Sequence, residues 1–240
     1  MSSKFDIAII GGGVVGAATF YKLQNQFPNK SLVLIEKEDR LAKHQTGNNS
    51  GVIHSGLYYT PGSQKARNCV QGRHELVQFA KDYKVDHDVC GKVVVATNEK
   101  EIKFLDKIYN NGIENKTEGL EKIDTNQIKE IEPEVNGIAG LWVPCTGIID
   151  YVGATNKMIE VALEINSDSK VCLSHNVTDI NENENFKEII TSQGNFNVDY
   201  LIVCGGLQAD RLAKNDGISL KEKVVGFRGD YYELEDHAKY

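Results

Sequence analysis

Ile7-Ala8-Ile9-Ile10 runs directly into Gly11-Gly12-Gly13-Val14-Val15-Gly16, and Ser31-Leu32-Val33-Leu34-Ile35-Glu36 closes the stretch. The first run is short, continuous and β-branched, the pattern of a strand buried on both faces of a parallel sheet. Ala17, Ala18, Phe20, Tyr21 and Leu23 follow at helical spacing, and Pro28 and Asn29 stop that helix. Ser31–Ile35 reads as a second buried strand. The βαβ unit carries Gly11, Gly13 and Gly16 in G-x-G-x-x-G register. Gly11 permits the tight turn off the strand, Gly13 lets a diphosphate approach the backbone, and Gly16 lets the helix pack closely on the sheet. The helix start, with the amides of Val14 and Val15, offers unpaired N–H groups and a positive dipole end to phosphates. Glu36, twenty residues past Gly16, places a carboxylate where ribose hydroxyls can donate to it, with Lys37 beside it. The same negative charge argues against a 2′-phosphate and so against NADP. The unit predicts an α/β, Rossmann-like dinucleotide-binding domain. The glycines alone do not choose between NAD and FAD, and a glycine-rich turn in an unrelated α/β protein is the alternative.

The composition is compatible with that core. In 240 residues, 40% are hydrophobic and 25% charged, which excludes a disordered chain. Acidic residues outnumber basic ones by 34 to 27, a net charge of −7, and no Lys/Arg cluster is present, so nucleic acid is not an expected partner. The five cysteines (69, 90, 145, 172 and 204) form no CxxC pair and suit a reducing compartment. They read as small hydrophobes, with Cys172 and Cys204 in buried strands. The histidines lack ligand spacing, and no metal is expected. Ser2-Ser3-Lys4 leads straight into the first strand, leaving no room for a secretory signal. No apolar run has membrane-spanning length. The expected location is the cytoplasm, with peripheral membrane association left open.

After Glu36 the chain departs from a plain alternation of strands and helices. Leu41 to Tyr59 is long, polar and glycine-punctuated, and loops of this kind are functional or disordered. Val52, Ile53, Leu57 and two tyrosines argue against disorder. Thr46-Gly47-Asn48-Asn49-Ser50-Gly51-Val52-Ile53-His54-Ser55-Gly56-Leu57-Tyr58-Tyr59 is followed by Pro61-Gly62-Ser63, Lys65-Ala66 and Cys69. Further on stand Glu132-Pro133, Thr146-Gly147-Ile148-Ile149-Asp150-Tyr151 and Phe227-Arg228-Gly229-Asp230-Tyr231-Tyr232. Together these closely resemble the L-2-hydroxyglutarate oxidases and dehydrogenases, FAD-dependent oxidoreductases of the D-amino-acid-oxidase type. The resemblance covers essentially the whole chain. The block from Gly51 to Tyr59 is specific, whereas the glycine triplet is shared with many flavoproteins.

The resemblance implies FAD as cofactor, with Thr46, Asn48, Asn49, Ser50 and Gly51 lining its diphosphate and ring. It implies backbone contacts to the adenine side at Val177, taken as the end of a strand, and a second nucleotide-contacting turn at Gly205 and Gly206. The reaction implied is oxidation of L-2-hydroxyglutarate, or a close 2-hydroxy acid, to the 2-oxo acid, with the Cα hydride passing to flavin N5. His54 is the candidate base, because imidazole titrates near neutrality. Arg228 is the candidate carboxylate anchor, because its planar fork binds bidentately. Tyr58 is placed at the substrate pocket. Each has a plainer reading: a loop-fixing histidine, a surface arginine, turn-forming asparagines, and a strand pair at Tyr58 and Tyr59. Two other functions stay open, an amine, amino-acid or glycerol-3-phosphate-type flavin oxidoreductase and a non-catalytic dinucleotide-binding remnant or subunit. Oxygen and a membrane quinone both stay open as the electron acceptor.

Periodicity predicts helices over 65–84, 99–111, 125–131 and 150–164, and strands over 92–96, 137–143, 170–177, 186–192 and 200–203. The organisation expected is an FAD-binding domain over 1–85 and 148–215, an inserted α+β substrate domain over 86–147, and a return to the substrate domain over 216–240, with Phe227–Leu234 as a strand. Relatives of this type are longer. The chain is expected to be incomplete at its C-terminus, as a fragment or as one of two separately encoded halves.

Overall fold

The computed structural model of the chain describes residues 3–230, 232 and 234–238. It divides into two compact units, one formed by residues 1–50 with 151–240 and the other by residues 51–150. These divisions fall at other positions than the domain limits expected from sequence. Gly147–Ile149 pairs with both Val52–Ile53 and His87–Asp88, which ties residues from 52 onward into the second unit.

The first unit begins with β1 (Ser3–Ile10), α1 (Val14–Gln26) and β2 (Leu32–Ile35). β1 and β2 are parallel, with Ile7 opposite Leu32 and Ile10 opposite Ile35. β2 is buried along its whole length, as a strand covered on both faces must be. The second unit opens with β3 (Val52–Ile53), α2 (Gln64–Tyr83), β4 (His87–Asp88) and β5 (Val93–Ala96). It continues through α3 (Glu99–Glu114), β6 (Glu121–Ile123), α4 (Thr125–Ile131), β7 (Ala139–Trp142) and β8 (Gly147–Ile149). The chain then returns to the first unit with α5 (Tyr151–Ile165), β9 (Lys170–Cys172), β10 (Val177–Glu182), β11 (Lys187–Thr191), β12 (Gly194–Val203) and α6 (Ala209–Asn215).

In the first unit six strands form one sheet in the order β10-β11-β12-β1-β2-β9. The β12-β1-β2-β9 part is parallel and the β10-β11-β12 part is an antiparallel meander. Phe5, Ala8, Ile10, Val33, Ile35, Ile189 and Val198 share one buried cluster. α1 packs on α5, with Ala17 and Phe20 buried on one helix and Ala154, Met158 and Ala162 on the other. The buried Gln24 joins the helix end to the sheet. Its amide donates to the Lys30 carbonyl, and its carbonyl accepts from the Ser169 hydroxyl at 2.6 Å. Ser169 Oγ in turn accepts from the Leu32 N–H. In the second unit two three-stranded antiparallel sheets, β3-β8-β4 and β5-β7-β6, stand with α2, α3 and α4. Leu57, Ala96, Leu105, Leu141 and Val143 form a core cluster there.

Three expected strands differ, the one expected over 200–203 by starting at Gly194. Residues 170–177 are two strands rather than one: β9 ends at Cys172 and β10 begins at Val177, so Val177 opens a strand instead of ending one. The cause is local. Ser174 adopts φ +59°, its N–H donates to the Glu38 carbonyl, and the His175 N–H donates to the Glu36 carbonyl. These residues bond to the turn after β2 and are lost to a strand ladder. Residues 227–230 form no strand, because no partner strand lies beside them among the described residues; Phe227 is 93% exposed. Tyr231 and Glu233 of the same expected strand lie outside the described residues. Cys204 is half-buried one residue past the end of β12. No helix among the described residues is long and apolar enough to cross a membrane.

Candidate functional site

The strand-to-helix turn after β1 is built by exclusion of side chains. Gly11 has φ +114°, and a Cβ there would overlap the Cys204 carbonyl at the end of β12. A Cβ on Gly16 would overlap the Gly11 carbonyl. Both positions therefore require glycine for close packing of β1, β12 and α1. Gly13 caps α1 without a side-chain hydrogen bond, and its missing Cβ leaves a gap bounded by Thr46 Oγ1 at 3.2 Å. The N–H of Val14 donates to Thr46 Oγ1 at 2.9 Å. The N–H groups of Gly13, Val15 and Gly16 have no acceptor among the described residues. A helix start with open amides, a positive dipole end and no intruding Cβ is a cradle for an anionic group. Val15, 65% exposed, leaves it open to solvent.

Glu36 stands just past β2 and is 92% withdrawn from solvent, its exposure being 8%. Its Oε2 accepts from the Gly12 N–H at 2.5 Å, and its Oε1 accepts from the Glu38 N–H at 2.9 Å. Each oxygen keeps a second lone-pair direction for a hydroxyl donor. Lys37 is exposed and lies 3.5 Å from the Glu38 carboxylate. Glu38 also meets His44 and Lys43, whose hydrogen bonds hold its carboxyl at about 2.

The loop after β2 turns through a short 3-10 segment, Gln45–Gly47. Asn48 Nδ2 donates to the His44 carbonyl at 2.7 Å, and Asn49 Nδ2 donates to the Thr46 carbonyl at 2.6 Å. The two asparagine amides thus brace the loop that carries Thr46 to α1. Ser50 is exposed at its end. Gly205 and Gly206 follow β12, Gly206 with φ +54° and the Gln45 side chain 3.1 Å from where its Cβ would lie. The 45–49 loop, the α1 start and the 205–206 turn therefore come together in the first unit. Val177 lies on β10, at the outer edge of the sheet.

In the second unit a hollow is lined by His54, Ser55, Tyr58, Tyr59 and Lys92, among others. Gly51 (φ +69°) leads into β3, which carries the chain to His54. Residues 54–63 turn rather than extend, so Tyr58 and Tyr59 are not a strand pair. Asn115, buried at the end of α3, fixes this turn by donating to the carbonyls of Gly56 and Tyr59. The Cys69 thiol donates to the His54 carbonyl. Burial, aided by the positive charge of Lys92, lowers the His54 imidazole below 6.5, which favours its neutral, proton-accepting form. Burial raises the Tyr58 phenol above its ordinary range and keeps it protonated.

Arg228 lies in the first unit, outside regular structure. Its side chain is 87% exposed and its Nε donates to Asp230 at 2.7 Å. Two cationic residues were not legible as site candidates. Lys92 stands at the start of a Val-rich strand, where lysine has no diagnostic spacing. Arg73 is a buried residue of α2 that pairs with Glu118 and donates to the Cys145 carbonyl.

The sequence profile for FAD-dependent oxidoreductases (DAO) matches residues 6–239. The chain is 43% identical over 238 residues to the L-2-hydroxyglutarate dehydrogenase of Indibacter alkaliphilus, covering 98% of this chain and 59% of that one. It is 37% identical over 235 residues to the L-2-hydroxyglutarate dehydrogenase of Escherichia coli K12, covering 96% and 54%. Among solved structures it is similar to the FAD-bound L-α-glycerophosphate oxidase of Mycoplasma pneumoniae, with TM-score 0.80, 28% identity, and coverage of 89% of this chain and 57% of that one. Glycine oxidase of Geobacillus kaustophilus shares the fold at TM-score 0.82 and 20% identity, over 91% and 60% of the two chains. The chain thus spans a little over half the length of the curated relatives it matches, 54% to 59% for the two dehydrogenases.

Proposed function

Because this chain belongs to the family of FAD-dependent oxidoreductases, we propose that its first unit holds the cofactor and that it serves the oxidation of L-2-hydroxyglutarate, or a close 2-hydroxy acid, to the 2-oxo acid. FAD is the cofactor that the family and its FAD-bound neighbour indicate. The observation that carries the reading is the row of open amides at the start of α1, beside the Glu36 carboxylate, in a chain this similar to L-2-hydroxyglutarate dehydrogenases.

In this reading Gly11, Gly13 and Gly16 keep the cradle clear, and the amides of Gly13, Val15 and Gly16 meet the diphosphate, with Val14 held by Thr46. Glu36 accepts from ribose hydroxyls, with Lys37 at its side. Asn48, Asn49, Ser50 and Gly51 shape the loop toward the ring. Backbone groups at Val177, Gly205 and Gly206 complete the nucleotide side. Bound FAD supplies the hydride acceptor for the alcohol carbon. His54 accepts the hydroxyl proton as that hydride departs, so the substrate loses two electrons and two hydrogens and becomes a ketone. The protonated Tyr58 donates a hydrogen bond to a substrate oxygen. Arg228 exchanges Asp230 for a substrate carboxylate.

The test is spectroscopic. The purified chain, titrated with FAD and freed of excess, is expected to retain flavin absorbance and to lose it anaerobically on addition of L-2-hydroxyglutarate. Retained flavin that responds to glycine or to L-α-glycerophosphate instead would reassign the substrate. A chain that takes up no FAD would overturn the reading.

A further inference from the structure

Lys92 is a half-buried lysine with no carboxylate partner. Its backbone is locked by two hydrogen bonds with Val143, donating at 3.2 Å and accepting at 3.0 Å. Gly91 before it has φ +78°, and a Cβ there would run into the Trp142 ring, so the chain on that side is also fixed. The side chain enters the hollow that His54, Ser55, Tyr58 and Tyr59 help to line. There the ammonium sits 4.6 Å from the centroid of the Tyr58 ring. No aspartate or glutamate oxygen of a described residue lies within 4.0 Å of it. A cation–π contact holds an ammonium but satisfies none of its three N–H donors in the way an anion would. In the same wall the Ser55 hydroxyl, in a residue only 1% exposed, has no hydrogen-bond partner.

A desolvated ammonium without a counter-ion is costly unless an anion arrives. Burial already presses the Lys92 amine below its ordinary range. The neighbouring Cys69 does not neutralise it: that thiol is itself raised by burial and donates to the His54 carbonyl. We propose that Lys92 is the seat for a carboxylate of the 2-hydroxy acid, held on the face of Tyr58 in the hollow shared with His54. The assignment rests on the 2-hydroxy acid reading above. It gives the second unit a carboxylate-binding cation of its own, in the hollow that His54 lines. It also makes Lys92 a specificity residue whose charge adds to burial in favouring the neutral His54 imidazole.

The probe is glutarate, which has both carboxylates but no hydroxyl to oxidise. It is titrated into the full chain, with FAD added, by calorimetry. The parent is expected to bind, K92Q to bind at least about tenfold more weakly, and K92R to recover most of the loss, as expected for one charge-assisted hydrogen bond. His54 ring resonances provide a second readout: K92Q raises the His54 titration midpoint while leaving the rest of the spectrum in place. In turnover, K92Q raises KM for L-2-hydroxyglutarate more than it lowers kcat. Equal glutarate affinity in K92Q and parent, or no glutarate binding by the parent, overturns the assignment. Reduction of the flavin by L-2-hydroxyglutarate with an unchanged KM in K92Q would sink Lys92 alone. Glutarate binding that depends on Lys92 in a chain whose flavin the hydroxy acid never reduces would sink the functional reading alone.

Discussion

At the scale of single residues, the burial and the Lys92 charge that lower His54 set a pH window. An imidazole must be unprotonated to accept a proton, so kcat/KM for the hydroxy acid is expected to rise with pH and to level off past a midpoint below 6.5. A pH–rate profile with its lower limb at or above that value would contradict the environment described for His54. Glycines offer a second, purely structural contrast. Gly16→Ala must push against the Gly11 carbonyl and is expected to cost about 1–3 kcal/mol in urea unfolding, with loss of FAD uptake. Gly72→Ala, inside α2 with open space around it, is expected to stabilise by about 0.5–1 kcal/mol. Why Gly11, Gly13 and Gly16 could be read from sequence is clear: three missing side chains at fixed spacing have few other uses. Lys92 could not be read, since its unpaired state depends on the turn at 54–63 and on β5 and β7, which are brought together only by folding.

At the scale of elements, α4 shows a cap whose worth can be measured. Asp124 accepts from the N–H groups of Asn126 and Gln127, and Gln127 accepts back from the Asp124 N–H. Asp124→Ala is expected to lower stability by about 1 kcal/mol, with the loss confined to hydrogen-exchange protection of α4 and β7. Elements that carry their own signals were legible. α4 matches the expected 125–131, and α1, α2 and α5 fall close to their periodic runs. Two-residue strands such as β3 and β4 have no periodicity to read and exist only because β8 lies between them. The split between β9 and β10 was hidden for a related reason. Val171, Cys172 and Val177 look like one apolar run, and only the carbonyls of Glu36 and Glu38, far away in sequence, draw Ser174 and His175 out of line.

At the scale of the whole molecule, residues 219–230 contrast with the rest of the first unit. From 219 to 230 the backbone holds on through little more than the Val224 N–H, which donates to Asp210. Val225 and Phe227 are 67% and 93% exposed. Local opening costs least where buried contacts and backbone hydrogen bonds are few. Brief trypsin treatment is therefore expected to cut first after Lys221, Lys223 or Arg228, leaving a fragment that still contains α6, as read by mass spectrometry. First cuts inside α2 or α5 would contradict this picture. The sheet of the first unit carries a different consequence. β1 is wedged between β2, which follows at once, and β12, whose partner residues come about 190 positions later. A ribosome adding on the order of 5–20 residues per second needs roughly ten to forty seconds to deliver the missing neighbour. Throughout that interval the nascent chain carries β1 with one edge unpaired, a hydrophobic ribbon open to the wrong neighbour.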